Sequence, residues 1–198
     1  MVAMDHDPPA FASAMRSMEA AFLVGVPGTT EIWLVRHGDC YDGVSSVTED
    51  PPLSEHGREQ ARRLAGRIGR LRYDAVYSSP LRRAMETART ITSDVAVDER
   101  LVEVTVQVDD GRIEFVEEPD EVLERMSAAV ADAVAAHPGG RVIMIGHGVA
   151  ILRYVCDVLR LDFGALRLLP YYTSVNVVRV LGDRRMVGSL ADVAHLEA

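Results

Sequence analysis

The sequence predicts an α/β fold with three layers, in which helices cover both faces of a mainly parallel central sheet. Short apolar strands alternate with amphipathic helical segments along most of the chain. One strand, Val142 to Ile145, is apolar at every position, which is typical of a strand buried on both faces. The chain has 198 residues, 48% of them hydrophobic and 26% charged, which fits one globular domain.

Residues 1–30 are predicted to form a helical extension, and residues 31–198 the domain itself. Asp7 stands before two prolines, as a helix cap stands before proline in the first turn. Apolar residues then recur at helical spacing, at Phe11, Met15, Met18 and Phe22. This helix either packs back on the domain or joins a partner subunit, so a homodimer is one expectation.

Within the domain, apolar runs predict the strands and capped amphipathic runs predict the helices. The predicted strands are Glu31–Val35, Ala75–Tyr77, Val95–Val97, Val142–Ile145, Ser174–Leu181 and Arg184–Leu190. The predicted helices are Ser54 (as cap) to about Arg70, Pro80 to about Thr92, Pro119–Ala136 and Val149–Leu159. Two alternating runs, Leu101–Val108 and Arg112–Val116, flank Asp109-Asp110-Gly111 and predict a hairpin.

Charge and composition exclude several classes of function. The net charge of −9 argues against nonspecific binding to nucleic acid or to an anionic membrane. All 21 basic residues are arginine, which excludes Walker-type P-loops, Schiff bases and lysine general bases. Cys40 and Cys156 form no CxxC pair, and the chain contains neither a signal-peptide pattern nor an apolar run of membrane-spanning length. We therefore expect a cytoplasmic protein.

Three of the predicted strands end in polar, reactive residues. These ends are Arg36-His37-Gly38, the run from Ser78 to Arg83, and Gly146-His147-Gly148. Ligands of open α/β sheets bind at the carboxyl ends of strands, where the strand order reverses. Two histidines and at least two arginines are therefore expected in one pocket. A glycine after each histidine allows close approach of backbone and ligand.

Such a pocket suits attack on a phosphoryl group. Arginine matches phosphate oxygens with a planar fork of donors, and a neutral histidine can act as a nucleophile. The arginines would neutralise the charge of the phosphoryl oxygens, so neither a metal nor another cofactor is needed. The leaving alcohol requires a proton, and Glu103 is the first candidate for the acid that supplies it.

Four sequence blocks carry a resemblance to a known family. They are Leu34–Gly38, Pro52–Gly57, Ser78–Ala84 and Ile145–Gly148, followed late in the chain by His195-Leu196. In this order and at these spacings the chain resembles the histidine phosphatase superfamily, including its phosphoglycerate mutase-like branch. The match runs from about Glu31 to Leu196 and implies a phosphoglycerate mutase-like fold.

The resemblance also implies roles for individual residues. His37 would be the nucleophile that becomes phosphohistidine, and Glu103 would protonate the leaving oxygen and later activate water. The residues that contact the phosphorylated substrate would be Arg36, Gly38, Arg82 and His147. Asp39 or Glu99 could replace Glu103, because Val104–Gln107 lacks the Gly-x-Trp-Glu-Gly-like stretch of many members.

The leading hypothesis is a metal-independent phosphomonoester phosphatase acting on a small phosphorylated substrate. A phosphoglycerate mutase is an alternative, although Asp39–Gly43 lacks the asparagine usual in mutases. Others are a phosphatase of protein phosphohistidine, a phosphate-binding module without turnover, and a metal-dependent hydrolase using His37, His147 and Asp39.

Two groups of arginines also have a simpler interpretation. Arg82 and Arg83 could pair with Glu86 on a solvated helix face. A larger group on the preceding helix is interpreted as a solvated face, namely Arg62, Arg63, Arg67, Arg70 and Arg72.

Overall fold

In the computed structural model, which describes residues 8–43, 50–109 and 112–197, helices pack on both faces of a central sheet. The helices are α1 (Pro8–Ala21), α2 (Glu55–Ile68), α3 (Arg82–Ile91), α4 (Pro119–Ala136) and α5 (Gly148–Val158). The strands are β1 (Thr30–Arg36), β2 (Ala75–Ser78), β3 (Ala96–Val97), β4 (Val106–Asp109), β5 (Arg112–Phe115), β6 (Arg141–Gly146), β7 (Val175–Leu181) and β8 (Arg184–Asp192). The predicted α/β class and its mainly parallel sheet are confirmed.

The central sheet has six strands in the order β3-β2-β6-β1-β7-β8. Strands β1, β2, β3 and β6 are parallel, whereas β7 and β8 are antiparallel to their neighbours. Strand β6 therefore lies between β1 and β2, although it follows both in the sequence. This insertion reverses the strand order beside β1, the position at which ligands bind in folds of this class.

Alternating side chains along β1 supply two separate apolar layers. Ile32 and Leu34 pack with α4 and α5, whereas Trp33 and Val35 pack with α2 and α3. All four side chains are buried. Helices therefore cover both faces of the sheet, and α2 and α5, which follow β1 and β6, lie on opposite faces. In folds of this class, ligands bind in the crevice between the loops that leave two such strands.

The hairpin of β4 and β5 forms as predicted, but its first strand begins later than Leu101. Residues Glu99–Leu101 form a 3₁₀ turn, and Leu101 is buried in the core. Arg125 of α4 donates to the backbone oxygens of Arg100 and Val102, so α4 holds this segment in place of a neighbouring strand. The predicted turn residues Asp110 and Gly111 lie outside the described residues.

Helix α1 forms where its periodicity predicts, and its predicted cap, Asp7, lies outside the described residues. Arg184 donates to the backbone oxygens of Ala20 and Ala21, which fixes the end of the helix beside β8. Met18 and Phe22 are 52% and 58% exposed. Association of this helix with a partner subunit stays a prediction. None of the helices described is long and apolar enough to cross a membrane.

Candidate active site

Two neighbouring strand ends bring His37 and His147 together. Arg36 and Gly146, the last residues of β1 and β6, are paired in register, and each is followed by a histidine. The two imidazole rings lie 5.0 Å apart between centroids. Both side chains are buried, with exposed fractions of 3% and 0%. The expected convergence of the two His-Gly motifs is therefore present in the fold.

His37 is oriented as an unprotonated nucleophile would be. Its Nδ1 lies 2.7 Å from the backbone oxygen of Gly38. A carbonyl oxygen can only accept, so Nδ1 carries the proton and Nε2 carries a lone pair. Burial lowers the pKa of His37 to about 3; the Gly38 hydrogen bond opposes this, and the charges of Arg83 and Arg36 reinforce it. The ring is therefore neutral at physiological pH.

Arg83, and not Arg82, reaches this histidine. Its Nε donates to Nε2 of His37 at 3.2 Å, and its side chain is largely buried. The Arg82 side chain is 59% exposed and pairs with Glu86 one turn further along α3. The expectation that Arg82 lies in the pocket is therefore wrong, because its side chain points to solvent. Consecutive residues of a helix point about 100° apart, so only one of the two arginines can face the strand ends.

Arg36 is held without an acidic partner. One of its terminal nitrogens, Nη1, donates to the backbone oxygen of Pro170 at 2.8 Å, and its guanidinium lies 4.0 Å from the ring centroid of Tyr172. Its Nε is buried without a hydrogen-bond partner, and Arg36 forms no ion pair with the described residues. A Cβ on Gly148 would lie 3.3 Å from this Nε, so the glycine leaves room beside it. A partly buried cation with a buried, unused donor favours an anionic ligand.

His147 also has an unused ring nitrogen. Its Nε2 lies 2.9 Å from the Ser79 hydroxyl, and its Nδ1 is buried without a partner among the described residues. Burial lowers the pKa of His147 well below its usual value, and the charges of His37, Arg83 and Arg36 lower it further. The ring is therefore neutral, like that of His37.

Gly38 lies in the site, but its backbone N–H is already bonded. It donates to the Thr87 hydroxyl at 3.0 Å. A Cβ on Gly38 would lie 2.7 Å from the backbone oxygen of Gly57, and a Cβ on Gly57 only 1.9 Å from that of Asp39. The two glycines thus let α2 dock directly on the loop that follows the nucleophile.

The Glu103 carboxylate lies against the N-terminus of α5, the helix that begins directly after His147. Its carboxylate accepts from the backbone N–H groups of Val149 and Ala150 at 3.3 and 3.1 Å, and also from that of Val104. The positive end of the helix dipole therefore fixes this carboxylate next to the histidine pair.

The two alternatives to Glu103 are placed differently. The Asp39 carboxylate accepts from the Ser54 hydroxyl and from the backbone N–H groups of Tyr41 and Asp42. Burial would raise the pKa of Asp39, but these hydrogen bonds lower it overall, so Asp39 stays ionised. Glu99 is exposed in the 3₁₀ turn. Among the three carboxylates, Glu103 is thus the one held at the first turn of the helix that follows His147.

The segment before β7 closes the site, and sequence patterns do not reveal it. Thr173 has a φ of 57°, which directs its backbone N–H towards the backbone oxygens of both Arg36 and His37, at 3.0 and 3.2 Å. Tyr172 lies against Arg36, and its ring centroid is 5.8 Å from that of His37. The only sequence signal here is Pro170 before two tyrosines, which does not indicate a direction for either ring.

The described residues contain no group of three or more histidine, cysteine, aspartate or glutamate side chains that could hold a metal ion.

Comparisons with known proteins agree with this architecture. The sequence model of the histidine phosphatase superfamily (branch 1) matches residues 32–115 and 105–193. A probable phosphoglycerate mutase, GpmB of an Enterobacter species, is 28% identical over 85% of this chain and 95% of its own.

Solved structures show the same fold. Bacillus stearothermophilus YhfR superposes with a TM-score of 0.72 at 26% identity, over 84% of this chain and 99% of its own. The phosphoserine phosphatase of Entamoeba histolytica, solved with 3-phosphoglyceric acid, has a TM-score of 0.72 at 20% identity, with the same shares covered. At that lower identity the likeness concerns the fold alone.

Proposed function

The chain belongs to the histidine phosphatase superfamily (branch 1), and from this membership and the site geometry we propose that it is a phosphomonoester phosphatase. One observation carries the proposal: two unpartnered buried nitrogens, Arg36 Nε and His147 Nδ1, lie beside a neutral histidine whose Nε2 is unprotonated. Cationic and neutral donors without an acidic partner fit a phosphoryl dianion. The same fold occurs in the phosphoserine phosphatase of Entamoeba histolytica, so the fold is compatible with this activity.

In the first half-reaction, Nε2 of His37 attacks phosphorus while the bond to the ester oxygen breaks. Arg36 and Arg83 donate to the phosphoryl oxygens and offset their charge. If the Ser79 hydroxyl donates to Nε2 of His147, then Nδ1 carries the proton and donates to a third oxygen. Glu103, in its acid form, transfers its proton to the leaving oxygen.

In the second half-reaction, the phosphoryl group passes from His37 to water. The Glu103 carboxylate takes a proton from the water whose oxygen attacks phosphorus, and the N–P bond breaks. The products are inorganic phosphate and the unprotonated histidine, so the starting state is restored. Each step uses only groups of this chain, the ester and water, and we expect no metal requirement.

The experiment measures phosphate release from a panel of phosphate esters with EDTA present throughout. Hydrolysis of at least one ester that survives the chelator, and disappears in His37→Ala, is expected. Activity that returns only when a divalent metal is added would contradict the proposal.

A phosphoglycerate mutase is the second candidate, because the curated relative GpmB carries that name. The two candidates differ in the acceptor of the phosphoryl group, which is water in one case and a sugar acid in the other. Incubation with 3-phosphoglycerate separates them. Free phosphate without 2-phosphoglycerate supports the phosphatase, and formation of the isomer supports the mutase.

A further inference from the structure

The peptide unit between Gly38 and Asp39 is hydrogen-bonded at both of its polar groups. Its carbonyl oxygen, that of Gly38, lies 2.7 Å from Nδ1 of His37 and accepts the hydrogen bond of this nitrogen. Its N–H, that of Asp39, donates to Oε1 of Gln60 at 2.9 Å. The C=O and N–H of one trans peptide unit share a plane and point in opposite directions. The orientation of the acceptor for His37 is therefore tied to the bond that Gln60 makes.

This peptide unit requires an external restraint. Glycine has no Cβ, so rotation of the unit that follows Gly38 meets little intrinsic resistance. Rotation would turn the carbonyl oxygen away from Nδ1 of His37 and bring the N–H towards it, and an N–H cannot accept a hydrogen bond. His37 would then lose the partner that keeps its proton on Nδ1 and its lone pair on Nε2. The residue that prevents this rotation therefore influences the nucleophile.

Gln60 is itself held in one orientation. It lies on α2 and is buried, with an exposed fraction of 2%. Because the Asp39 N–H can only donate, the amide oxygen of Gln60 faces it and the amide nitrogen faces away. That nitrogen lies 3.0 Å from Nε2 of His56, one turn earlier on α2, and donates to it. A flip of the amide would place two donors against each other at Asp39, so the side chain is fixed at both ends.

These hydrogen bonds form one chain with a single direction. Nδ1 of His37 donates to the peptide unit, the peptide unit donates to Gln60, and Gln60 donates to His56. Donors and acceptors aligned in this way polarise one another. In the phosphohistidine of the proposed function, Nε2 is bonded to phosphorus while Nδ1 keeps its proton, so the ring carries positive charge. The dipoles of the chain direct their negative ends towards that charge.

We propose that Gln60 is a positioning residue that holds the Gly38 carbonyl against Nδ1 of His37 and so fixes the histidine as a nucleophile through Nε2. The consequence for phosphorylation rests on the proposed function, whereas the consequence for the Nδ1 proton does not. Neither the family match nor the named relatives assign a role to Gln60.

The test compares Gln60→Met, which has a similar shape without the acceptor, with Gln60→Glu, which keeps an oxygen that accepts from Asp39. Gln107→Met is the matched control, because Gln107 is the only other glutamine and is exposed on β4. Exchange of the His37 Nδ1 proton with water is measured by NMR of the full chain labelled with ¹⁵N-histidine and ¹⁵N-tryptophan. The indole N–H of Trp33, buried against α2, reports any general loosening of the fold.

Gln60→Met should accelerate exchange of the His37 Nδ1 proton about fivefold or more, which corresponds to the loss of one hydrogen bond. Exchange at Trp33 should change by less than about twofold, since the fold as a whole stays closed. Gln60→Glu and Gln107→Met should remain within about threefold of the wild type at His37. His56→Ala releases the amide nitrogen from an exposed position, which does not endanger folding, and should accelerate exchange about twofold or more.

The same variants are tested for activity. In an active enzyme, single-turnover phosphorylation by p-nitrophenyl phosphate should slow about fivefold or more in Gln60→Met and recover in Gln60→Glu.

Three results would overturn the proposal. The first is unchanged exchange at His37 in Gln60→Met, or in His56→Ala should Gln60→Met not fold. The second is an equal acceleration at Trp33, and the third is a phosphorylation rate that Gln60→Met leaves unchanged. The exchange measurement requires no turnover. A wild-type protein that hydrolyses no ester would therefore contradict the proposed phosphatase, while exchange in the same protein still decides the role of Gln60.

Discussion

Arg83 donates its Nε hydrogen to Nε2 of His37 across 3.2 Å. The lone pair that would attack phosphorus is therefore already engaged by the guanidinium that would bind the phosphoryl oxygens. In the proposed mechanism, the oxygens of an entering ester would compete for this donor, and transfer of the hydrogen bond to them would free the nucleophile. Arg83 would thus first hold the unprotonated histidine in place and then stabilise the phosphoryl charge.

Replacement of the two adjacent arginines should have unequal effects. Arg83→Ala removes a donor to the developing phosphoryl charge and should lower kcat/KM by about 10²- to 10³-fold. Arg82→Ala removes an exposed pair with Glu86 and should lower it by less than about threefold. Steady-state kinetics with one aryl phosphate measures both. Similar losses in the two variants would contradict the assignment of Arg83 to the site.

The low pKa of His37 should be visible in the pH dependence of phosphorylation. With a pKa of about 3, the ring stays unprotonated down to about pH 4. Single-turnover phosphorylation by saturating p-nitrophenyl phosphate should therefore not decline through histidine protonation between pH 8 and 5. If the pKa of the histidine were 6.5, only about one thirtieth of it would be unprotonated at pH 5, and the phosphorylation rate would fall roughly thirtyfold. A decline of that size, centred near pH 6.5, would exclude the buried neutral nucleophile.

The same residue should form a trappable phosphoenzyme. Denaturing quench during turnover is expected to yield an acid-labile, base-stable phosphoryl group, as a phosphoramidate bond to His37 would be. His37→Ala should yield none and should lose activity by about 10⁴-fold or more. Phosphorylation that persists in the variant would place the nucleophile elsewhere.

Glu103→Gln should discriminate between leaving groups. Loss of the acid should slow phosphorylation by an alkyl phosphate by roughly 10²- to 10⁴-fold. p-Nitrophenyl phosphate has a stable leaving group, so loss of the acid should slow phosphorylation by this ester much less. Water must still be activated in the second step, so hydrolysis of the phosphoenzyme should remain slow. The variant should therefore release a burst of p-nitrophenol followed by slow turnover. Equal losses for both esters without a burst would count against Glu103.

Three buried or partly buried histidines should make the fold less stable as the pH falls below about 6.5. The pKa values of His37, His147 and His195 are lowered mainly by burial, those of His37 and His195 to about 3 and 4. Below about pH 6.5 these histidines are protonated in the unfolded chain but remain neutral in the native state. The free energy of unfolding therefore falls as pH decreases. For His37, whose pKa is about 3, the loss should be about 1 kcal/mol per pH unit between pH 6.5 and 4.

Urea unfolding at several pH values measures this slope. His195→Gln should reduce this slope, while its amide can still donate to the Thr173 hydroxyl that His195 contacts. His56→Gln, at an exposed position, is the matched control for the substitution itself. A slope that His195→Gln does not reduce would contradict the burial argument.

The strands and helices could be predicted because their patterns are local. Ser54 accepts from the backbone N–H of Gly57 and caps α2 as expected, and α4 spans the predicted residues Pro119–Ala136. The two histidines could be predicted as well, because both follow apolar strands directly.

The orientation of neighbouring side chains was harder to predict. Arg82 and Arg83 are equivalent in sequence until the axis of α3 is fixed, although Glu86 one turn after Arg82 was a signal that this arginine faces solvent. Tyr172 lies in a segment without regular periodicity, so its contact with Arg36 depends on tertiary packing alone. The start of β4 shifted for a similar reason, because Arg125 binds the backbone that precedes it.

Because β6 lies between β1 and β2 in the sheet but follows both in the sequence, the site can form only after β6 has been synthesised. β1 and β2 pair with β6 and not with each other, and β6 ends at Gly146. A nascent chain shorter than about 150 residues therefore exposes two unpaired strand edges and cannot bring His37 and His147 together. Assembly of the sheet is a non-local event that slows folding, and a product that ends before β6 cannot form the site.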